Sequence, residues 1–154
     1  MHKLLFAVIS LLTLVLTPCL TLANPDGLIN KQSKYSVSET IDRLENVLKK
    51  KGITIVTRWS HSERAAGVGI KLRPTELLLF GNPKLGSHMF TSKQSSGIDL
   101  PLKALAWEDA NGKVWLSYND PAYITKRHGI NNRDDIAKKM TGALNNLTNA
   151  AIGK

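Results

Sequence analysis

The stretch TELLLFGNP, residues 75–83, decides most of what can be predicted about the fold. A continuous apolar run, Leu77 to Phe80, stands between Thr75-Glu76 and a Gly-Asn-Pro turn. A short apolar run bounded by turn residues is typical of a strand inside a sheet. We therefore predict a strand over residues 75–80 that is buried on both faces, with the Glu76 carboxylate at its entrance, where it needs a partner.

Two strands joined by a tight turn follow this strand along the chain. Residues 102–108 and 113–118 read as strands, and Asn111-Gly112 between them supplies the positive φ angles that a hairpin turn requires. Counting across this turn places Trp107 opposite a position near Leu116. The sequence therefore predicts an antiparallel hairpin in the same sheet.

Two amphipathic helices frame the strands. The first is predicted from Ser36, which forms a capping box with Glu39, and a strand over residues 53–59 follows it. The last helix is predicted to begin at Asn131 or Asn132. Its apolar stripe consists of Ile136, Met140, Ala143, Leu147 and Ala151. Because helices and strands segregate rather than alternate, we expect an α+β domain with an antiparallel sheet of four to five strands covered on one face by two main helices.

Residues 1–23 have the pattern of a cleavable export signal. Lys3 precedes the apolar run Leu4 to Leu16, which is long enough for a signal core and shorter than the ~20 residues of a membrane span. Small residues at Thr21 and Ala23 predict cleavage after Ala23. We expect a periplasmic or secreted protein with no stable membrane span after cleavage. An uncleaved anchor and lipidation at Cys19 are the alternatives.

The rest of the chain is predicted to be a flexible lead-in, residues 24–34, and a single domain, residues 35–152, that opens with a short strand at residues 35–37. Cys19 is the only cysteine, so the exported protein would have no disulfide and no thiol chemistry. The net charge of +9 is dispersed except at Lys49-Lys50-Lys51, which suits a helix C-terminus. Because no aromatic residues alternate with basic ones, we expect no nucleic-acid partner.

Eight polar side chains close to predicted strand ends are candidates for a ligand site. They are His61, Glu76, Asn82, Asp99, Tyr118, Asp120, Tyr123 and His128. The histidines and carboxylates among them could supply the three or four ligands of a metal site, but no HExxH or similar local spacing is present. Metal content, cofactors and catalytic residues are therefore left undefined.

Simpler structural roles compete with each of these functional interpretations. Asp120 can cap a helix that Pro121 begins, and the histidines can be surface residues. Trp107 and Trp115 can pack against the helices or line a small-molecule cavity. No nucleophile-plus-base arrangement is readable from the sequence, so whether the protein is an enzyme stays open.

Four segments resemble the domain of unknown function 302 family. These are residues 72–84 (LRPTELLLFGNPK), 97–103 (GIDLPLK), 107–115 (WED with GKVW) and 117–123 (SYNDPAY). They occur in the family's order, and the likeness covers about residues 35–152.

The resemblance implies a small α+β domain with a TATA-binding-protein-like arrangement, a curved antiparallel sheet backed by two helices, and plausible homodimers. It implies no agreed activity. We expect an exported envelope protein that binds a small molecule. The alternatives are a metal-dependent protein or enzyme that uses His61, His128 and nearby carboxylates, and a homodimeric structural protein of the envelope.

Overall fold

The structure is a computed structural model that describes residues 26–154. The export signal predicted over residues 1–23 lies outside the described residues and stays a prediction.

Five strands and five α-helices make up the described chain. In order they are β1 (Leu28–Gln32), α1 (Val37–Lys50), β2 (Thr54–Ser60), α2 (His61–Ala66), β3 (Thr75–Gly81), α3 (Pro83–Ser92), a 3₁₀ helix (Gln94–Ile98), β4 (Leu102–Glu108), β5 (Val114–Asn119), α4 (Pro121–Arg127) and α5 (Asp134–Ile152).

The strands form one open sheet in the order β1-β5-β4-β3-β2, and every neighbouring pair is antiparallel. Helices α1 and α5 contact each other and cover one face of this sheet. The predicted α+β class, with a five-stranded antiparallel sheet and two main helices, is therefore confirmed.

The core lies between the sheet and these two helices. Leu78 and Phe80 of β3 are almost fully buried against Leu44 of α1 and Leu144 of α5. Successive residues of a strand point to opposite faces, so Leu77 and Leu79 lie on the face away from the helices, where they are half-buried. The prediction that β3 is buried on both faces was wrong, because within residues 26–154 the two long helices cover only the other face of the sheet.

Trp107 and Trp115 also lie on the face away from the helices. Their neighbours Ala106 and Leu116 belong to the core, so strand alternation directs the indole rings the other way. The two rings stack with centroids 6.5 Å apart, and the Trp107 Nε1–H donates to Ser117 Oγ over 2.8 Å. These tryptophans therefore neither pack against the helices nor line the cavity described below.

The predicted lead-in contains a strand instead of only flexible chain. Within residues 24–34, β1 pairs with β5 at the sheet edge, and the strand predicted at residues 35–37 is absent. Lys31 of β1 anchors this edge, because its ammonium lies within 2.7–3.1 Å of four oxygens of α5 and shares its three N–H donors among them. Burial lowers the pKa of Lys31 to about 8.

The helix starts agree with the predictions except at α5. Ser36 caps α1 by accepting a hydrogen bond from the Glu39 N–H over 3.2 Å, as the capping box predicted. Helix α5 follows Arg133 instead of Asn131 or Asn132, and no side chain caps its first turn. Asp134 and Asp135 supply negative charge to that turn, which is favourable next to the positive end of the helix dipole.

Candidate functional site

Six of the eight predicted site residues gather around one end of the sheet. At this end β2 begins, β3 ends at Gly81, β4 begins at Leu102 and β5 ends at Asn119. The end of β5, helix α4 and the loops around them carry these six residues, which are Asn82, Asp99, Tyr118, Asp120, Tyr123 and His128. His61 and Glu76 lie at the opposite end, because β2 ends where β3 begins and Ser60 pairs with Glu76.

Asp99 and His128 are in direct contact. Asp99 follows the 3₁₀ helix, and His128 is the C-terminal cap of α4. His128 Nε2 lies 2.7 Å from Asp99 Oδ2, and both side chains are only 7% exposed. The other carboxylate oxygen, Oδ1, accepts from Arg127 Nη1 over 3.0 Å.

Ser95 completes this cluster on the far side of the imidazole. Its Oγ lies 3.1 Å from His128 Nδ1, and the serine is exposed. Neither Ser95 nor Arg127 was predicted from the sequence. Ser95 and His128 are 33 positions apart, so no local spacing in the sequence indicates their contact. The adjacent basic residues Arg127 and His128, followed by Gly129, were the available sequence signal for the basic side chains of the cluster.

Asn82 and Asp120 have structural roles as helix caps. The Asn82 Oδ1 accepts from the Lys84 N–H over 3.0 Å at the start of α3. The Asp120 Oδ1 accepts from the Ala122 N–H over 3.0 Å at the start of α4, where Pro121 is the first residue. For Asp120 the structural alternative considered from the sequence is thus confirmed.

The two predicted tyrosines are held by packing. Tyr118 is 4% exposed within the core below the helices, and burial raises the pKa of its phenol above the ordinary value. The Tyr123 ring lies directly against Gly27, which has a positive φ of 76°. Neither ring lines the cavity described below.

Glu76 belongs to an ion-pair network at the far end of the sheet. Its carboxylate is held in a bidentate contact by Arg58, with Nε–Oε1 at 2.5 Å and Nη2–Oε2 at 3.0 Å. Arg58 also pairs with Asp42 of α1, and the hydrogen bonds that the guanidinium donates to Glu76 raise its pKa. His61 is exposed at the first position of α2.

A metal site with three protein ligands is not formed within residues 26–154, since no group of three or more His, Cys, Asp or Glu side chains converges there.

A cavity of about 270 Å³ opens at the same end of the sheet as Asp99 and His128. We call it the apolar cavity. It lies between the start of β2, the β3–α3 turn, α3, the segment 100–102 and α5. Its floor is buried and consists of Phe80, Met140 and Leu144, whereas Val56 (54% exposed) and Phe90 (36% exposed) stand at its mouth.

Few polar groups reach the apolar cavity. The polar side chains that line it are those of Thr54, Asn82 and Ser87, and the Asn82 Oδ1 is already used as a helix cap. Of the eight predicted residues only Asn82 lines the cavity. The cavity itself was missed because five separate elements build it, although residues 81–83 and 100–102 both belong to the segments that carried the family resemblance.

The fold defines a class of protein, a small α+β domain with an open antiparallel sheet and helices on one face. The family model "Domain of unknown function DUF302" matches residues 29–147, and the chain belongs to this family. The crystal structure of an uncharacterized conserved DUF302 protein from Bacillus stearothermophilus superimposes with a TM-score of 0.74 at 21% identity, covering 81% of this chain and 98% of that one. This likeness shows the shared fold.

Longer relatives share the sequence more closely. The fluoride-specific ion channel FluC 1 of Brucella suis biovar 1 is 43% identical over 128 residues, which cover 82% of this chain and 50% of the channel protein. The fluoride-specific ion channel FluC 2 of Brucella melitensis biotype 1 is also 43% identical over 128 residues, with 47% of its length covered. The chain thus spans about half the length of the curated relatives it matches. Among residues 26–154 no helix is long and apolar enough to cross a membrane.

Proposed function

We propose that the protein is exported to the bacterial envelope and there binds a small, uncharged, apolar molecule in the apolar cavity. The observation that carries this proposal is the cavity itself, a preformed space of about 270 Å³ with an apolar floor and an open mouth. Binding sites for small molecules are concave and mostly apolar, with a few polar groups that orient the ligand.

The lining limits the chemistry of the ligand. Val56 and Phe90 expose apolar surface at the mouth, and a ligand that covers it gains about 25 cal/mol per Å² removed from water. Among residues 26–154 no charged side chain lines the cavity, so a charged ligand would lose its hydration without gaining a partner there. The volume lies just below the ~300–1,000 Å³ of sites for drug-sized molecules, which favours a compact ligand such as a single or fused small ring.

The proposed location rests on the pattern of residues 1–23. Cleavage after Ala23 would release a chain that begins two residues before the part that the structure describes. An intact mass that starts at Asn24 is the expected result for the exported protein, and a mass that retains residues 1–23 would reject it.

A titration of the folded domain with indole, followed by amide chemical shifts in NMR spectra, tests the binding proposal. We expect saturable shifts at Leu85 and Leu144, which line the cavity, and much weaker shifts with benzoate, which adds a charge. Replacing Ala143 with phenylalanine should fill the cavity from α5 and weaken indole binding at least about tenfold, or about 1.4 kcal/mol.

The matched control is Ala150→Phe, which makes the same change on an exposed position of α5 that does not line the cavity. Equal affinities of the wild type and the Ala143→Phe variant, or shifts spread evenly over the surface, would reject the apolar cavity as the binding site.

We also infer that the protein self-associates as a homodimer, and a specific patch favours this second proposal. Four large apolar side chains outside the apolar cavity are exposed on β2 and on the segment that follows α2: Trp59, Val68, Ile70 and Leu72. Among the described strands β2 lies at an edge of the sheet, and an edge strand can pair with a strand of a second copy. Exposed apolar side chains mark an interaction surface where they form one contiguous patch.

Light scattering of the wild type and of an Ile70→Asp variant tests the dimer. We expect a dimeric mass for the wild type and a monomeric mass for the variant, because a carboxylate buried in an apolar interface loses its hydration. Ile98→Asp, at an isoleucine of the 3₁₀ helix that is also well exposed, should stay dimeric. Even a weak specific dimer would be populated at a protein concentration of about 100 μM. A wild type that is still monomeric at that concentration would contradict the proposal.

A further inference from the structure

We propose that Ser95 is a nucleophile for acyl transfer, that His128 is its general base, and that Asp99 is the residue that positions the imidazole. The three side chains form a continuous hydrogen-bonded chain next to the apolar cavity but outside its lining. The inference therefore goes beyond ligand binding in that cavity and does not depend on it.

The hydrogen bonds determine which nitrogen of His128 carries the proton. Asp99 Oδ2 lies 2.7 Å from Nε2, and a carboxylate can only accept, so Nε2–H donates to it. The neutral imidazole then has its lone pair on Nδ1, which faces the Ser95 hydroxyl at 3.1 Å. This is the arrangement in which an imidazole removes a hydroxyl proton while a carboxylate holds the ring.

The exposure of each group suits its role. Ser95 is exposed, so a substrate carbonyl can approach its Oγ from solvent. The His128 and Asp99 side chains are only 7% exposed, which restricts the competition of water for their hydrogen bonds. Arg127 binds the second carboxylate oxygen at 3.0 Å and thereby fixes the plane of the carboxylate that orients the ring.

Local structure places Ser95 and Asp99 relative to each other. Both belong to the 3₁₀ helix and its C-terminal cap, and the Asp99 N–H donates to the Ser96 carbonyl over 3.0 Å. The hydrogen bond between Asp99 and His128 is sufficient to hold α4 against this helix. The second hydrogen bond, between Ser95 and His128, is not needed for that structural role.

The substrate class that suits an exposed serine with an imidazole base is a small ester. The Ser95 Oγ forms a bond to the carbonyl carbon while its proton moves to His128 Nδ1. The bond from carbon to the leaving oxygen then breaks, and that oxygen takes the proton from Nδ1 and leaves as the alcohol. Water next gives a proton to Nδ1 and its oxygen attacks the acyl carbon. The bond between the acyl carbon and Ser95 Oγ then breaks, the carboxylic acid is released, and Oγ takes back the proton from His128 Nδ1.

Labelling with a fluorophosphonate, which reacts with activated serines, tests this proposal on the intact exported protein. We expect one label per chain, located at Ser95 by peptide mapping, and none in Ser95→Ala. The control Ser92→Ala removes a nearby hydroxyl that bonds to Asn132 instead of an imidazole, and it should label like the wild type. His128→Gln should slow labelling about 100-fold, the usual contribution of a general base.

The Asp99→Asn variant separates positioning from structural support. We expect a maximal labelling rate about 100-fold lower, with the half-saturating probe concentration unchanged, whereas general unfolding would also change that concentration and the thermal transition. An unlabelled wild type, a label at another residue, or a Ser95→Ala protein that still labels would overturn the proposal. Ser95 is exposed, so Ser95→Ala should fold even if the buried variants do not.

The labelling test and the ligand-binding test can give opposite outcomes, so rejection of one proposal does not reject the other. Ser95→Ala should bind indole like the wild type, and Ala143→Phe should label at Ser95 like the wild type.

Discussion

Replacing Phe80 with alanine is expected to lower the free energy of unfolding by about 3–5 kcal/mol, the usual cost of truncating a buried aromatic side chain. Phe80 is 1% exposed and packs in the core that α1 and α5 build on the sheet. It also forms part of the floor of the apolar cavity, so the truncation would join a new void to an existing one. Because small domains have only about 5–15 kcal/mol of stability, this is a large fraction of the total.

Chemical denaturation of Phe80→Ala and of Leu79→Ala provides the comparison. Leu79 is the neighbouring residue on the same strand, but it is half-buried on the face away from the helices. We expect Leu79→Ala to cost only about 1 kcal/mol, because less apolar area is lost and no closed void is formed. Similar losses for the two variants would contradict the assignment of the core to one face of the sheet.

Gly27→Ala is expected to destabilise the fold by roughly 2–5 kcal/mol, with the loss concentrated at β1. Gly27 has a φ of 76°, which costs an alanine about 1–2 kcal/mol. The added Cβ would also lie 2.0 Å from Cγ of Tyr123, and relieving such a contact by local shifts costs about 1–3 kcal/mol. Unfolding measurements and hydrogen exchange of the β1 amides check both the size and the place of the effect.

Gly112→Ala separates the two contributions to that loss. Gly112 has a similar φ of 73°, but apart from its two neighbours in the chain no described residue has an atom within 4 Å of the position that an added Cβ would take there. This variant should therefore lose only the backbone part, about 1–2 kcal/mol. Adding Tyr123→Ala to Gly27→Ala should recover some stability because the clash is removed. If Gly27→Ala and Gly112→Ala cost the same, the ring of Tyr123 does not pack against Gly27 as the structure has it.

Local patterns predicted most of the fold because they act over short distances. The apolar run of β3 was placed within one residue of its observed end, and Ser36 and Asp120 cap their helices as the spacing to Glu39 and Pro121 indicated. These signals depend on neighbours in the chain, which the sequence displays directly.

The errors come from interactions that involve distant segments or irregular turns. The hairpin pairs Trp107 with Trp115, one position away from the predicted pairing near Leu116. The reason is a longer turn that Asp109 closes by accepting from the N–H groups of Asn111 and Lys113. β1 was taken for flexible chain because it is polar, and its place in the sheet depends on pairing with β5, far along the chain.

The candidate site was also only partly predicted, because it depends on contacts between segments that are distant in the sequence. Asp99 and His128 were both predicted as site residues. Their contact was not predicted, because they are 29 positions apart and no local sequence pattern indicates such a pairing. The apolar cavity forms where α3, α5 and three strand ends leave space between them, and no single segment encodes that space. His61 follows a strand as the other candidates do, yet it lies at the opposite end of the sheet because β2 ends there.

The most direct test of the account is native mass spectrometry of the protein recovered from the periplasm of a bacterial host. We predict a chain that begins at Asn24 and carries a small non-covalent adduct. Ala143→Phe should lose this adduct and Ala150→Phe should keep it, because only Ala143 lines the apolar cavity. A wild-type protein free of adducts across several growth conditions, or an adduct that persists in Ala143→Phe, would contradict the claim that the cavity is a binding site.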